Sequence, residues 1–290
     1  MTTFERRLSE FVDRTMEMGR FCEILQTRSK PIVFVSGATG VGKSSLLARM
    51  IHECSLRAVP KTEIVWTETN NPDHLYIMRT IRDNLGAQYF ARFTSLVNGY
   101  YDARSKLDLT LNTSGSITVA AGAEIQNATT GDIAGVVVRD CMFVVPRPDL
   151  GVSENERRQR LTQRFLADLA AFTQGSPTVL FFDAVEKMTD ETRNWMWVDF
   201  MAAVRDGTVA NAVCVFLGQK PPDLDRDTRL VVQRFELGPL ALDDIEEYLK
   251  KRNVACQSPH ELARMIMAAT KGHLADVANL VDSYQEVPAG

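Results

Sequence analysis

The chain has 290 residues and a formal net charge of −4, with 45% hydrophobic and 24% charged residues. This is the composition of an ordinary globular protein, and its length suits one α/β domain of about 200 residues plus a smaller module. The slightly acidic balance gives no general attraction for nucleic acid or anionic membranes. No apolar run approaches the ~20 residues of a membrane-spanning helix, so we expect a cytoplasmic protein without a membrane partner.

The first motif in chain order is a phosphate-binding loop at residues 37–44. Its letters, GATGVGKS, match G-x-x-x-x-G-K-S completely. An apolar strand is predicted before it at residues 31–35, and an amphipathic helix is predicted after it at residues 44–51. Backbone N–H groups of such a loop and the helix dipole hold a polyphosphate. The residues predicted to bind nucleotide here are Gly37, Ala38, Thr39, Gly40, Val41, Gly42, Lys43, Ser44 and Ser45.

Two residues of this loop have more specific expected roles. The Lys43 ammonium is expected to reach the β- and γ-phosphates, which makes it a catalytic candidate as well as a binding residue. The Ser44 hydroxyl is expected to ligate Mg²⁺. No N-K-x-D element follows to read guanine, so adenine is the expected base and ATP or ADP the expected cofactor.

The remaining pattern alternates strands and helices, as in a β-α-β architecture. Residues 105–146 differ, because leucines alternate with polar residues between several glycines, which predicts a β-rich insert. This insert is expected either to cover the sheet as a local hairpin or to contact a partner. The other predicted elements are helices at 4–27, 73–103 (broken near Gly86), 154–173 and 190–205, strands at 63–67, 178–183, 212–217 and 231–237, and only helices after Gly238.

The fold class that follows is α/β: a three-layer P-loop NTPase with a parallel central sheet, the β-rich insert and a C-terminal helical module. The cysteines and histidines add no metal centre to this fold. The five cysteines are scattered without a C-x-x-C spacing, and the four histidines form no pair at metal-ligand spacing. Reduced thiols are therefore expected, and zinc is not.

Asp183 ends the apolar strand predicted at residues 178–183. In P-loop proteins, a carboxylate at the end of a strand beside the phosphate loop holds Mg²⁺ through its water shell. We therefore predict a metal-binding role for Asp183 together with Ser44. The alternative is that the Asp183 carboxylate only caps the next turn.

Hydrolysis needs a further group that orients the attacking water. The position directly after Asp183, where many ATPases carry this group, is Ala184. Glu186 and Glu68 are the two candidate bases, and the sequence leaves the choice between them open. Turnover is therefore less firmly indicated than binding.

The tip of the strand at residues 212–217 carries Gln219 and Lys220. A polar residue at this position often contacts the γ-phosphate, so Gln219 is a catalytic candidate through its amide and Lys220 through its charge. A plain polar loop is the alternative.

At this point the chain resembles the STAND class of P-loop ATPases, the signalling relatives of the AAA+ fold, over residues 11–281. Residues 11–14, FVDR, are similar to the F-V-G-R-E element ahead of the phosphate loop, with Asp13 in place of the usual glycine. Residues 182–187, FDAVEK, are similar to the Walker B region of bacterial members.

The helical lid of this class has counterparts too. Residues 235–240, FELGPL, resemble the start of the lid. Residues 271–274, KGHL, resemble a later G-x-P element, with Leu274 in place of proline. In relatives, the strand tip that carries Gln219 here often bears arginine.

The resemblance implies three parts. Residues 1–30 would be an N-terminal helical segment that packs near the nucleotide base, residues 31–237 the NTPase core with its insert at about 105–146, and residues 238–290 the helical lid. Val12, Arg14 and Pro239 would contact the nucleotide.

The resemblance also implies an ATP-binding, slowly hydrolysing molecular switch in signalling that forms homo-oligomers in a nucleotide-dependent way. Such cores are normally flanked by sensor repeats and effector domains, so we expect either the core of a larger protein or a short stand-alone member. One alternative is a nucleotide-binding scaffold without turnover. The other is an AAA+-type ATPase acting on DNA, although a nucleic-acid partner is not expected. The DNA hypothesis is based on a basic cluster of one helix, Arg157, Arg158, Arg160 and Arg164. One of these arginines would alternatively act as an arginine finger in the nucleotide site of a neighbouring subunit.

Overall fold

The computed structural model describes residues 2–100 and 153–286 throughout, and between them only four short strands. Contacts divide the chain into two compact units: residues 1–91 with 165–290, and residues 92–164. The described strands are β1 (Ile32–Ser36), β2 (Lys61–Val65), β3 (Thr110–Leu111), β4 (Ile117–Thr118), β5 (Glu124–Gln126), β6 (Met142–Val144), β7 (Thr178–Asp183), β8 (Ala212–Gly218) and β9 (Val232–Glu236).

The helices lie between and after these strands. Short 3-10 turns occur at Ala87–Tyr89 and Val185–Lys187, and a π-helical segment occurs at Trp195–Phe200. The described α-helices are α1 (Thr3–Ser9), α2 (Thr15–Thr27), α3 (Lys43–Leu56), α4 (His74–Leu85), α5 (Ala91–Tyr100), α6 (Glu154–Gly175), α7 (Asp190–Asn194), α8 (Met201–Arg205), α9 (Arg226–Leu230), α10 (Leu242–Lys251), α11 (Pro259–Thr270) and α12 (Leu274–Glu286).

The central sheet is entirely parallel, in the order β2-β7-β8-β1-β9. This confirms the predicted α/β class with a parallel sheet. The strand β8 lies between the phosphate-loop strand β1 and the strand β7 that ends in Asp183, an order that was not predicted. Since all carboxyl ends of parallel strands meet at one edge, Asp183 still lies at the same edge as the phosphate loop.

Each face of the sheet has its own packing, because neighbouring residues of a strand point to opposite faces. On one face, Val33, Val35 and Phe181 pack with apolar residues of α2 and α3. The other face carries a row of stacked rings from three strands. The Phe34 and Phe216 centroids are 5.1 Å apart, and those of Phe182 and Phe216 are 4.9 Å apart.

The N-terminal segment is not one continuous helix as its periodicity predicted. α1 ends at Ser9 and α2 begins at Thr15, because Asp13 and Arg14 between them have φ values of 60° and 65°. This left-handed conformation favours glycine, and aspartate is among the other residues that tolerate it. The backbone therefore explains why glycine is usual at the position of Asp13.

The insert predicted at about 105–146 contains two antiparallel strand pairs. β3 pairs with β4, and β5 pairs with β6. The other residues of this segment lie outside the described part of the chain. The role of the insert, either as a cover for the sheet or as a contact to a partner, stays a prediction.

The C-terminal helices α10–α12 have a core of their own. Ile245, Tyr248 and Ile266 are buried there, together with Val12 from the segment between α1 and α2. No described helix is long and apolar enough to cross a membrane.

The stacked rings predict a large stability effect at the centre of the row. Phe216→Ala is expected to lower the free energy of unfolding by about 3–5 kcal/mol, because it removes a fully buried ring and leaves a cavity. The matched control is Tyr76→Ala, an exposed aromatic residue whose loss should cost less than about 0.5 kcal/mol. Urea unfolding followed by circular dichroism measures both. Equal losses in the two variants would contradict the packing described above.

Candidate nucleotide-binding site

The phosphate loop joins β1 to the first turn of α3. Gly40 and Gly42 have φ values of 81° and 106°, which are accessible to glycine and strained for other residues. Gly42 precedes the first helical residue, Lys43, and its carbonyl accepts bonds from the N–H groups of Ser45 and Leu46 at 3.1 and 3.0 Å. The loop therefore leads directly into a helix N-terminus, where anions are stabilised.

The Lys43 ammonium folds back over this loop. Its Nζ donates to the carbonyl oxygens of Gly37 at 2.7 Å and Ala38 at 2.9 Å. Burial lowers the pKa of Lys43, and the negative charges of Glu186 and Asp183 oppose that shift. The cation is thus held at the loop surface by two carbonyls, which phosphate oxygens would be able to replace as stronger acceptors.

The Asp183 carboxylate lies at the carboxyl end of β7. Its Oδ1 accepts a hydrogen bond of 2.8 Å from the backbone N–H of Ala184, so the predicted turn-capping contact is present. The same side chain lines a cleft together with Ser44 and Lys43. Burial raises the pKa of Asp183, whereas the bond from Ala184 and the charges of Lys43 and Arg7 lower it.

The turn after Asp183 positions Glu186, one of the two candidate bases. Ala184 has φ 61°, and a 3-10 turn follows that brings Glu186 back toward the strand ends. A β-carbon on Gly218 would lie 3.1 Å from Glu186 Oε2, so the glycine at the end of β8 makes room for this carboxylate. Glu186 lines the cleft, whereas Glu68 is exposed and is not among the lining residues.

Gln219, which is predicted to contact the γ-phosphate from the tip of β8, also lines the cleft. Its Nε2 lies 3.5 Å from Thr39 Oγ1. Lys220 is exposed and is not among the residues that line it.

This larger cleft has a volume of about 520 Å³. It brings together the phosphate loop, the predicted metal and catalytic residues, and one end of α12. The lining residues are Arg7, Thr39, Gly40, Gly42, Lys43, Ser44, Ser45, Asp183, Ala184, Glu186, Lys187, Gln219, Leu274, Ala275 and Ala278.

A second, smaller cavity of about 260 Å³ adjoins the first. Two of the three residues predicted to contact the nucleotide, Val12 and Arg14, line this cavity. The third, Pro239, is exposed and lines neither cavity. The next residue, Leu240, takes its place in the wall. The complete lining is Thr3, Arg6, Arg7, Glu10, Phe11, Val12, Arg14, Val41, Gly42, Ser45, Leu240, Tyr248, Leu274 and Ala278.

Arg14 holds three parts of this wall together. Its Nη2 donates to the Gly238 carbonyl at 2.5 Å and to the Val41 carbonyl at 3.4 Å, and its Nη1 pairs with Asp13 at 2.8 Å. Arg14 is only 8% exposed, so these contacts satisfy most of a buried charge. Its position is thus fixed by the phosphate loop and by the chain segment that precedes α10.

The two cavities share part of their walls. Gly42 of the loop, Ser45 of α3, Leu274 and Ala278 of α12, and Arg7 of α1 line both. Leu274 belongs to the KGHL segment, whereas Arg7 and Ala278 had no motif to reveal them, because they reach the loop only through tertiary packing. The site therefore consists of a polar cleft at the loop and an adjoining, more enclosed cavity.

The lid helix α12 makes direct contacts with the phosphate loop. His273 Nε2 lies 2.6 Å from the Thr39 carbonyl oxygen, and since a carbonyl only accepts, this nitrogen carries the proton. The backbone N–H of Ala275 donates to the Gly40 carbonyl at 3.0 Å. The KGHL segment thus lies against the loop itself.

Comparisons with known proteins place this geometry in a family. The family model described as "AAA ATPase domain" matches residues 10–205. This match confirms the resemblance to the AAA+-related P-loop ATPases. No curated protein matches the chain.

Several solved structures are similar at low identity. A STAND protein with a tetratricopeptide repeat sensor from Pyrococcus horikoshii is 14% identical, with a TM-score of 0.47 and coverage of 91% of this chain and 28% of that one. Cdc6p from Pyrobaculum aerophilum is 13% identical, with a TM-score of 0.48 and coverage of 94% and 60%. AMPPCP-bound DnaA from Aquifex aeolicus is 11% identical, with a TM-score of 0.48 and coverage of 96% and 65%. The chain thus spans less than two thirds of each.

The burial of Asp183 predicts that this carboxylate lowers stability in the absence of ligands. Asp183→Asn removes the buried charge and keeps an oxygen that accepts from Ala184, so we expect a higher midpoint of thermal unfolding, by about 2–4 °C for each kcal/mol gained. The control is Asp223→Asn, at an exposed position, which should leave the midpoint unchanged. Scanning calorimetry without nucleotide measures both. A lower midpoint for Asp183→Asn would contradict this account of the site.

Proposed function

Because this chain belongs to the AAA ATPase domain family, we propose that it binds ATP or ADP with Mg²⁺ and acts as a slowly hydrolysing molecular switch. The observation that carries the proposal is the wall shared by the two cavities at Gly42, Ser45 and Leu274. A nucleotide has a polyphosphate at one end and a flat, mostly apolar base at the other. The polar cleft and the smaller cavity offer those two environments side by side.

The residues present fit Mg²⁺ with a nucleotide. The backbone of residues 37–44 would hold the phosphates, and Lys43 would exchange its carbonyl partners for phosphate oxygens. The Ser44 hydroxyl and the Asp183 carboxylate supply the oxygen ligands that Mg²⁺ prefers. When bound, Mg²⁺ would neutralise charge on the phosphates.

The base would occupy the smaller cavity, next to Val12 and Leu240. These residues come from the N-terminal segment and from the start of the lid, which are far apart in sequence. Binding there would join residues 1–30 to residues 238–290 across the core. The proposal therefore includes three parts: the N-terminal segment of residues 1–30, the core of residues 31–237 and the lid of residues 238–290.

Turnover is assigned to Glu186. Its carboxylate lies beside Gly218 in the cleft that contains Lys43, whereas Ala184 has no group that is able to orient water. Glu186 would accept a hydrogen bond from the attacking water, and the Gln219 amide would contact the γ-phosphate. A base that stands three residues past Asp183 is consistent with slow hydrolysis.

The contacts of α12 and of the preceding His273 with the loop support a switch role. His273 and Ala275 bind the Thr39 and Gly40 carbonyls, so a change in the phosphates is expected to move the lid. Lid movement would alter the surface offered to another copy, which supports nucleotide-dependent homo-oligomers in a signalling role. A DNA-directed role gains no support, since Arg160 pairs with Glu156 and Arg157 lies over the Tyr100 ring.

Lys43→Ala is expected to weaken Mg-ATP binding by about 10- to 100-fold, the effect of removing a charge-assisted hydrogen bond. Isothermal titration calorimetry measures the affinity. Lys220→Ala removes an exposed lysine outside the cleft and should bind as tightly as the unmodified protein. Equal affinities for Lys43→Ala and Lys220→Ala would refute binding at this loop.

Glu186→Gln is expected to lower kcat for phosphate release by about 100-fold or more and to leave the affinity for ATP nearly unchanged. Glu68→Gln serves as the control for the second candidate base and should retain full turnover. A steady-state phosphate-release assay distinguishes the two variants. If the unmodified protein releases no phosphate above background, a scaffold without turnover replaces the switch; if only Glu68→Gln is inactive, the assignment of the base is wrong.

A further inference from the structure

Helix α1 begins with a complete set of capping hydrogen bonds. Thr2 Oγ1 accepts from the Glu5 backbone N–H at 3.2 Å, and Glu5 Oε2 accepts from the Thr2 N–H at 2.7 Å, which together form a capping box. These reciprocal bonds fix the first turn of the helix. Arg6 and Arg7 follow directly after this turn.

Arg6 belongs to an ion cluster that joins α1 to the C-terminal helices. It pairs with Glu10 and Asp282, each at 2.8 Å. Arg252 pairs with Glu10 at 2.6 Å and also bonds to Asp282. The Tyr248 hydroxyl donates to Glu10 at 3.2 Å. A network of four charges in which each partner is shared holds its geometry better than isolated surface pairs do.

Arg7 points elsewhere. It lines both cavities of the nucleotide site, and among the described residues its guanidinium has no hydrogen-bond or ion-pair partner. Arg7 and the predicted metal ligand Asp183 line the same cleft, and the positive charge of Arg7 lowers the pKa of Asp183 against the effect of burial. The cleft thus contains an arginine with free donors beside the phosphate loop.

The lid contributes only apolar side chains to the same cleft among the residues described, namely Leu274, Ala275 and Ala278. A nucleoside triphosphate carries several negative charges, which the two lysines of the cleft lining, Lys43 and Lys187, compensate only in part. Guanidinium presents five donors in a planar fork that matches phosphate oxygens. α1 therefore supplies a cation that the lid helix at this position lacks.

We propose that Arg7 binds the nucleotide phosphates in cis, and that the cluster of Arg6, Glu10, Arg252 and Asp282 makes its position depend on the lid. α1 packs against α3 of the core, and the cluster ties it to the lid as well, so lid opening pulls on α1 and withdraws Arg7 from the phosphates. This inference rests on the proposed nucleotide site and adds to it a residue and a coupling. It identifies Arg7 as a binding residue and Glu10 as a positioning residue.

The first test compares Arg7→Gln with the unmodified protein for ATP, ADP and adenosine by isothermal titration calorimetry. We expect ATP affinity to fall about 10- to 100-fold. Adenosine affinity should stay within about twofold, because adenosine has no phosphates. Arg7→Lys keeps the charge and should recover part of the loss. The matched control, Arg20→Gln, removes an exposed arginine of α2 and should leave the affinities for ATP, ADP and adenosine unchanged.

The outcomes separate this inference from the proposed function. If the unmodified protein binds no ATP, the proposed function fails and the inference fails with it. If ATP binds equally to the unmodified protein and to Arg7→Gln, only the role of Arg7 is overturned. Equal losses for ATP and adenosine would also overturn it, because they would indicate a structural effect of the substitution.

The coupling is tested by a double-mutant cycle with Glu10→Gln, which breaks the cluster and leaves Arg7 in place. We expect Glu10→Gln to reproduce part of the loss in ATP affinity. In its background, Arg7→Gln should add less than its effect alone, because the arginine is already mispositioned. If the double variant loses the full product of the two single fold-changes, the two residues act independently and the coupling is overturned.

Discussion

The close approach of backbone at two glycines is the constraint on which the site depends. At Gly40, a β-carbon would lie 2.5 Å from His273 Cε1, and at Gly272 it would overlap the Leu240 carbonyl oxygen. A larger residue at Gly40 would displace His273 and Ala275 of the lid from the phosphate loop, and one at Gly272 would displace the Leu240 backbone within the lid. Both positions also have φ values near 80°, which favour glycine, so Gly40 sets the distance of the lid from the loop and Gly272 the conformation of the lid next to it. Loop and lid therefore form one continuous wall.

The rigid and the movable parts of the molecule are built differently. The aromatic side chains around Phe216 stack on one another across three strands of the sheet. This packing fixes the strand ends that carry Asp183 and Gly218. The lid has a separate core and is tied to α1 by charged side chains that are partly exposed. Contacts of this kind are weaker than buried packing and depend on ionic strength. A switch between loop-bound and open lids would use these contacts and leave the sheet intact.

The sequence predicts those features that depend on local periodicity. The phosphate loop and the strand Thr178–Asp183 lie where the apolar pattern and the motif place them. The position of β8 between β1 and β7 has no local signal, since strand order arises from tertiary packing. The break at Asp13 and Arg14 was hidden because their left-handed backbone interrupts the helix while the apolar residues on either side keep helical spacing. Arg7 had no motif, and only the folding of α1 over the site brings it to the cleft.

The central claim is that the polar cleft and the smaller cavity form one nucleotide site. A crystal structure with Mg²⁺ and a non-hydrolysable ATP analogue tests it most directly. Our account predicts phosphates on residues 37–44, with the metal between Ser44 and Asp183, and the base in the smaller cavity beside Val12 and Leu240. A base bound outside that cavity, or phosphates held away from the loop, would contradict it.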